Sequence, residues 1–160
     1  LQILEDLIEK KDLSLKDKKI LDLGTGSGIL SVALAKLGAQ DIKAFDISPD
    51  AIKASLDNAR RNKVSFSAEK LDLTKLTVSE LDGKNLKSDL ILANILFPVL
   101  EAMSENIAHL LEKGGLVILA GLLSEQKKDI EKIFAEHADY KLLCEYHEKG
   151  WFAGAWEKTS

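Results

Sequence analysis

A loop with three glycines is the feature of this chain whose residue types and spacing most clearly suggest chemistry. Its glycines lie at positions 24, 26 and 28, after the apolar segment 19–23 and before the apolar segment 29–37. The first segment is typical of a buried strand and the second of a helix, so the loop joins a strand to a helix. Such a loop directs backbone N–H groups and a helix N-terminus at a ligand with an anionic group. Glycine lets that ligand approach closely because it has no Cβ atom.

The spacing of the glycines distinguishes between two kinds of ligand. A dinucleotide-binding loop has the pattern Gly-x-Gly-x-x-Gly, which requires glycine at position 29, where this chain has Ile29. Here an acid, Asp22, precedes Gly-x-Gly-x-Gly by one spacer, and this pattern resembles the S-adenosylmethionine loop of class I methyltransferases. We expect the loop N–H groups to bind a carboxylate and Asp22 to bind an ammonium group through water. A tight turn without a ligand is the alternative.

Two candidate side chains lie at the end of the second predicted strand, residues 41–47. The carboxylate of Asp46 can accept two hydrogen bonds from the vicinal hydroxyls of a ribose. Asp46 lies 18 residues after Gly28, a separation that suits a strand–helix–strand unit, and Ile47 could pack on an adenine ring. The alternative for Asp46 is a cap or turn residue before Pro49.

Two further strand ends bear polar side chains. Asp72 follows the third predicted strand, 64–68, and could accept a hydrogen bond from an adenine amino group, although Glu69 competes for this role. Asn94 ends the fourth predicted strand, 89–94, where its amide oxygen could orient an acceptor amine toward a methyl group. The alternatives are an ordinary loop carboxylate at Asp72 and a helix cap at Asn94.

The composition indicates a single soluble globular domain. The chain has 160 residues, of which 46% are hydrophobic and 30% charged, and its net charge of −4 disfavours a nucleic-acid partner. Cys144 is the single cysteine, and the Cys and His residues do not form a zinc pattern. Because the sequence contains no membrane-spanning segment and no signal peptide, we expect a cytoplasmic location and no membrane partner.

Predicted strands alternate with predicted helices along the chain. Helices are expected at 1–10, 29–37, 49–62, 77–81, 98–111 and 124–137, and strands at 19–23, 41–47, 64–68, 89–94, 116–120, 140–147 and 151–157. This alternation predicts an α/β fold with a doubly wound, mostly parallel seven-stranded sheet that ends in an antiparallel hairpin. Ligands of open α/β sheets bind beyond the carboxyl ends of the strands, where the candidate residues lie.

Four segments occur in the order that is typical of one family: LDLGTGSGILS (21–31), DLILANIL (89–96), GGLVILAG (114–121) and EKGWFA (148–153). They resemble the ribosomal protein L11 methyltransferases, and the resemblance covers nearly the whole chain. The glycine loop by itself is similar to the loop found throughout the methyltransferase superfamily. The segment that contains Asn94 and the pair Gly150-Trp151 are similar to this family in particular.

The resemblance implies transfer of methyl groups from S-adenosylmethionine to amino groups of a ribosomal protein, on lysine side chains and the N-terminal α-amine. On this analogy Asn94 is the predicted catalytic residue, and no metal ion is expected. The predicted cofactor-binding residues are Asp22, Gly24, Thr25, Gly26, Gly28, Asp46, Ile47, Asp72 and Asn94.

Two features depart from the family pattern. The family has an N-terminal substrate-docking domain and a threonine-rich segment before the first helix, so we expect residues 1–160 to be a methyltransferase domain without its docking domain. Phe97 stands where the family usually has a small residue, and Asn-x-x-aromatic is similar to the signature of methyltransferases that act on amide or nucleobase nitrogens. A methyltransferase for another nitrogen substrate, an NAD-dependent oxidoreductase and a non-catalytic cofactor-binding module are the alternatives.

Overall fold

The computed structural model describes residues 2–11 and 13–160, and these residues form one sheet of seven strands. The strands are β1 (Lys19–Leu23), β2 (Asp41–Asp46), β3 (Ser67–Lys70), β4 (Ser88–Asn94), β5 (Leu111–Leu123), β6 (Tyr140–Glu148) and β7 (Trp151–Lys158). The helices are α1 (Gln2–Lys11), α2 (Ile29–Lys36), α3 (Pro49–Arg61), α4 (Val78–Asp82), α5 (Phe97–Leu110) and α6 (Lys127–Ala135). Leu1, the first residue of the predicted helix 1–10, lies outside the described residues.

The strand order confirms the predicted doubly wound sheet. Across the sheet the order is β3-β2-β1-β4-β5-β7-β6, with β7 antiparallel to both of its neighbours and all other pairs parallel. The direction of winding reverses between β1 and β4, which places the ligand-binding crevice at their carboxyl ends. Within the described part of the chain, no helix is long and apolar enough to cross a membrane.

The hydrophobic core lies in two layers, one on each face of the sheet. Alternate residues of a strand point to opposite faces, so Leu21 and Ile91 belong to the layer under α5 and α6, whereas Ile20 and Leu92 belong to the layer under α1 and α2. Because β4 is central and covered on both faces, its residues from Leu90 to Ala93 are all buried. The core therefore holds the ends of β1 and β4 rigidly beside each other.

The third strand begins three residues later than predicted, at Ser67 instead of position 64. The residues before it form the turn that follows α3, in which the N–H of Val64 donates to the carbonyl of Ala59 at 3.1 Å. Lys63 takes a left-handed conformation with φ 57°, which ends the helix without glycine. The apolar Val64 and Phe66 therefore precede the strand, which is an edge strand of polar residues.

Two other boundaries also differ from the prediction. The fifth strand was expected over 116–120 and extends over 111–123, because Leu111 already pairs with Ser88 before an irregularity that includes the left-handed Gly114. The last predicted helix, 124–137, is instead a turn of 3₁₀ helix at Ser124–Gln126 followed by α6. Neither difference alters the topology of the sheet.

Candidate functional site

The glycine loop lies at the carboxyl end of β1, beside the point where the strand order reverses. Its three glycines have positive φ angles of 70°, 54° and 78° at Gly24, Gly26 and Gly28, a region that residues with a Cβ rarely adopt. A Cβ on Gly24 would collide with Ile95, and one on Gly28 would lie 2.7 Å from Cβ of Ser55. A Cβ on Gly26 would meet no atom within 4 Å. Gly26 is thus the position at which the loop backbone is open to a ligand.

Asp22 is buried beneath this loop, with only 1% of its surface exposed. Its Oδ2 accepts hydrogen bonds from the hydroxyl of Thr25 at 2.7 Å and from that of Ser31 at 2.6 Å. Burial raises the pKa of the Asp22 carboxyl, the hydrogen bonds from Ser31 and Thr25 oppose this, and the charge of Asp46 adds to it. The N-cap residue of α2 is Gly28, which has no side chain that could accept a hydrogen bond. Asp22, at the end of β1, provides the acceptor for the first turn of α2 instead. Its contact with a ligand ammonium group stays a prediction.

Asp46 joins the glycine loop to the turn after β2. Its Oδ2 accepts a hydrogen bond from the N–H of Gly26 and its Oδ1 one from the N–H of Ser48, each at 2.9 Å. Each carboxylate oxygen can accept a further hydrogen bond, so Asp46 keeps acceptor capacity for a pair of hydroxyls. Asp46 can therefore stabilise the turn after β2 and also accept hydrogen bonds from a ligand, two roles that the sequence presented as alternatives.

A cavity of about 320 Å³ adjoins the loop at the ends of β1, β2 and β4. Four of the predicted cofactor residues line it: Gly24, Asp46, Ile47 and Asp72. Most of its other walls are apolar and include Leu71, Val99 and Met103. The cavity therefore combines two half-buried carboxylates, Asp46 and Asp72, with apolar walls that suit a flat ring.

Asp72 also organises the turn in which it lies. Its Oδ1 accepts hydrogen bonds from the backbone N–H and the hydroxyl of Thr74 at 3.2 and 2.6 Å, and its Oδ2 lies 2.9 Å from Nζ of Lys75. The hydrogen bond from Thr74 holds the pKa of the Asp72 carboxyl below its ordinary value. Asp72 thus stabilises its own loop and also lines the cavity. Glu69, which competed for the role of binding an adenine amino group, lies on β3 and does not line this cavity.

Asn94 lies at the end of β4 and lines a neighbouring, larger cavity of about 640 Å³. Ile95 and Leu96 line both cavities and so form the partition between them. The N-cap of α5 is Leu96, which makes no side-chain cap, so Asn94 does not have the helix-cap role that was its alternative. Gly121 packs closely against it, since a Cβ there would lie 3.0 Å from Oδ1 of Asn94.

Phe97, the aromatic residue three positions after Asn94, does not line either of these cavities. It packs instead on the core layer under α5. The β6–β7 hairpin brings three aromatic side chains, Tyr146, Trp151 and Phe152, to the cavity that Asn94 lines. Sequence reasoning did not assign these residues to the site, because only the pairing of β5 with β7 and of β7 with β6 places the hairpin at the same cavity as the end of β4. The EKGWFA segment was the available signal.

Two histidines, His109 and His147, lie outside the candidate site. Nε2 of His109 lies 2.7 Å from Oδ1 of Asp82, and Nδ1 of His147 lies 3.1 Å from the hydroxyl of Ser124. Neither histidine lines the two cavities. Both therefore have structural partners outside the candidate site.

The sheet order, the terminal hairpin and the glycine loop at the reversal point define the Rossmann-like methyltransferase fold. Within that class, the family model described as "Ribosomal protein L11 methyltransferase (PrmA)" matches residues 1–159. The chain belongs to the ribosomal protein L11 methyltransferase family.

Individual relatives agree with this assignment. A ribosomal protein L11 methyltransferase from Tolumonas auensis is 40% identical over 124 residues, which cover 78% of this chain and 40% of the relative. One from Shewanella baltica (strain OS185) is 39% identical over 139 residues, covering 87% of this chain and 45% of the relative. The chain thus spans less than half the length of these curated relatives.

Solved structures show the same fold. The crystal structure of ribosomal protein L11 methylase from Lactobacillus delbrueckii subsp. bulgaricus has a TM-score of 0.80 and 30% identity, covering 94% of this chain and 74% of that chain. Magnesium protoporphyrin IX methyltransferase from Synechocystis PCC 6803, solved with bound S-adenosylmethionine, has a TM-score of 0.74 at 20% identity, covering 99% of this chain and 79% of that chain, and shares the fold.

Proposed function

We propose that this chain is the catalytic domain of an enzyme that transfers a methyl group from S-adenosylmethionine to an amino group of a ribosomal protein. The acceptor is a lysine side chain or an N-terminal α-amine. The observation that supports this most directly is the pair of adjoining cavities at the carboxyl edge of the sheet. One of them is lined by Asp46 and by Gly24 of the glycine loop, the other by Asn94, and Ile95 and Leu96 separate them.

The residues present fit the chemistry of this cofactor. Its adenosine part needs acceptors for two ribose hydroxyls and an apolar slot for the ring, which Asp46 and the walls near Ile47 and Val99 offer. Its amino-acid part bears a carboxylate, which suits the N-terminus of α2, and the space beside Gly26 leaves room for this part of the cofactor. When bound, the cofactor supplies an electrophilic methyl group on a positively charged sulfur.

The protein's own task is to hold a neutral amine in line with that methyl group. A lysine amine has a pKa of about 10.4 in water, and an apolar environment lowers it. Asn94 is uncharged, so it cannot remove the proton as a strong base would. Its amide oxygen can instead accept a hydrogen bond from an amine N–H and fix the direction of the nitrogen lone pair. Catalysis of this kind rests mainly on positioning and on exclusion of water.

Binding and transfer are tested separately. Calorimetric titration of the chain with S-adenosylmethionine, S-adenosylhomocysteine and NAD should show binding of the first two and none of the third. Transfer of a labelled methyl group to ribosomal protein L11 should be measured with the chain alone and with the chain joined to the upstream part of a curated relative. Failure to bind S-adenosylmethionine in a folded sample would refute the proposal.

A non-catalytic cofactor-binding module is the second candidate. Binding of the cofactor without transfer, even when the upstream part of a relative is supplied, would support this candidate.

A further inference from the structure

We infer that the β6–β7 hairpin recognises the positive charge of the acceptor, with Glu148 as a specificity-determining carboxylate and with Tyr146 and Trp151 as aromatic walls. The inference rests on the proposed methyl transfer to an amine. It assigns to the hairpin the selection of a cationic acceptor over a neutral amide, whereas Asn94 orients the nitrogen for reaction.

The hairpin and Asn94 lie on opposite sides of one cavity. Asn94 pairs with Ala120 across β4 and β5, and Tyr146 pairs with Ala153 across β6 and β7. In the sheet order β4 and β6 lie three strand spacings apart, a distance of about 14 Å. All four residues line the larger cavity, and the two alanines between Asn94 and Tyr146 leave room for a ligand because their side chains are small.

The larger cavity is continuous with a third cavity, of about 370 Å³, toward α1 and α2. This cavity and the larger one beside Asn94 share five lining residues: Asn94, Ala120, Tyr146, Glu148 and Ala153. Both spaces therefore have Asn94 in one wall and Glu148 in another. An extended amine side chain that enters from the hairpin passes Glu148 before it reaches Asn94.

Glu148 is the negatively charged residue among those that line the larger cavity, and Lys149 is the positively charged one. The Lys149 ammonium lies 4.0 Å from Oε1 of Glu148, and their side chains are 88% and 61% exposed. Such an exposed pair is weak because water screens it and the long side chains lose freedom in forming it. The carboxylate of Glu148 is therefore available to an incoming ammonium group.

Two large aromatic side chains flank this carboxylate. Trp151 is the cross-strand partner of Glu148, and Tyr146 precedes Glu148 by two residues on the same strand, so it lies on the same face. Trp151 is 52% exposed and Tyr146 44% exposed. The face of an aromatic ring attracts a cation and gives a neutral amide no comparable charge interaction. A carboxylate between two aromatic rings is therefore suited to an ammonium group.

The hairpin is held firmly enough to present these groups in a fixed arrangement. It turns through Lys149 and Gly150, whose φ angles of 49° and 85° are those of a tight two-residue turn. The N–H of Ser124 donates to the carbonyl of Gly150 at 2.9 Å, and the Ser124 hydroxyl donates to the carbonyl of Trp151 at 3.4 Å. Contacts with the segment after β5 thus anchor the turn and the start of β7.

The test compares a cationic probe with its neutral analogue. Nα-acetyl-lysine methylamide and Nα-acetyl-norleucine methylamide are titrated into the chain, with and without S-adenosylhomocysteine, while the indole N–H signals of Trp151 and Trp156 are followed by NMR. The lysine probe should shift the Trp151 signal and leave that of the buried Trp156 in place. The norleucine probe should bind at least threefold more weakly.

Variants then assign the effect to one carboxylate. Glu148→Gln should weaken binding of the lysine probe at least threefold and leave the affinity for S-adenosylhomocysteine unchanged. Glu105→Gln, which removes an exposed carboxylate on α5 away from these cavities, is the matched control and should change neither.

Equal affinity for the two probes, no shift of Trp151, or an unaffected Glu148→Gln variant would overturn the inference. Because the probes are also titrated without S-adenosylhomocysteine, the result decides the role of Glu148 whether or not the cofactor binds. If the chain fails only to bind the cofactor, the proposed function is contradicted. If it fails only to bind the lysine probe more tightly than the norleucine probe, the proposed role of the hairpin is contradicted.

Discussion

The hydroxyl of Ser31 donates a hydrogen bond of 2.6 Å to the carboxylate of Asp22, and this bond ties the first turn of α2 to the end of β1. Thr25, in the loop between them, donates to the same carboxylate oxygen. The glycine loop is therefore closed around a buried negative charge that the protein itself satisfies. Its shape is set before a ligand arrives, and pre-organised loops lose less conformational freedom on binding.

Replacement of Ser31 by alanine should destabilise the fold by about 1–3 kcal/mol, because a buried carboxylate would lose one of its hydrogen-bond donors. Urea unfolding followed by circular dichroism measures this. Ser27→Ala, which removes an exposed hydroxyl from the same loop, is the control and should change the free energy of unfolding by less than about 0.5 kcal/mol. Equal effects of the two variants would mean that the Asp22–Ser31 hydrogen bond makes no specific contribution to the free energy of unfolding.

The pH dependence of stability should report on Asp22. Its pKa is raised in the folded state, so between the unfolded and folded pKa values the folded protein binds more protons than the unfolded chain. The contribution of Asp22 to stability is therefore complete below the unfolded pKa, near 4, and is lost as the pH rises through the folded pKa. Asp22→Asn cannot ionise, so it should remove this part of the decline, as urea titrations at several pH values would show. An unchanged pH profile would contradict the raised pKa.

Asp46→Ala should weaken binding of S-adenosylmethionine by roughly 1.5–3 kcal/mol, the loss expected for charged hydrogen bonds. The fold should persist, because Asp46 is half-buried at a strand end and lies outside the two core layers. Asp41→Ala, at the opposite end of the same strand, is the matched control and should leave the dissociation constant unchanged in calorimetry. An unaltered affinity in the Asp46 variant would leave that residue with its turn role alone.

Alanine at Gly26 should weaken cofactor binding, since it places a methyl group where the loop backbone is open. Gly38 provides the matched control: it also has a positive φ, of 99°, and a Cβ there would also meet no atom within 4 Å. Both variants should lose about 1–2 kcal/mol of stability from the left-handed backbone. Only the Gly26 variant should lose affinity, and similar affinities in calorimetry would show that the cofactor does not approach this position.

Asn94→Ala should reduce turnover far more than cofactor affinity, by up to about 100-fold, because its amide is proposed to orient the acceptor. The measurement needs an active preparation, such as the chain joined to the upstream part of a relative. Equal losses in cofactor binding and in rate would place Asn94 in the cofactor cavity instead. Full activity of the variant would show that other groups orient the amine.

Local patterns in the sequence were sufficient for the fold and for four of the residues that line the proposed cofactor cavity. The alternation of apolar strands and amphipathic helices predicted the doubly wound sheet, because each period follows from backbone geometry alone. The glycine spacing and the acids after successive strands predicted residues that the structure gathers around one cavity, Gly24, Asp46, Ile47 and Asp72. Parallel strands end at the same edge of a sheet, so residues that follow them are brought together without any knowledge of side-chain packing.

Tertiary structure decided the features that depend on distant pairing. It buried Asp22 under α2, packed the half-buried Phe97 against the core and brought Tyr146, Glu148 and Trp151 to the cavity that Asn94 lines. It also moved the start of β3 to Ser67, because backbone hydrogen bonds at the end of α3 engage Lys63 and Val64. The sequence by itself determined which residues end strands. Which of them face one another across the crevice was decided by strand order and register, since these arise from contacts between segments far apart in the chain.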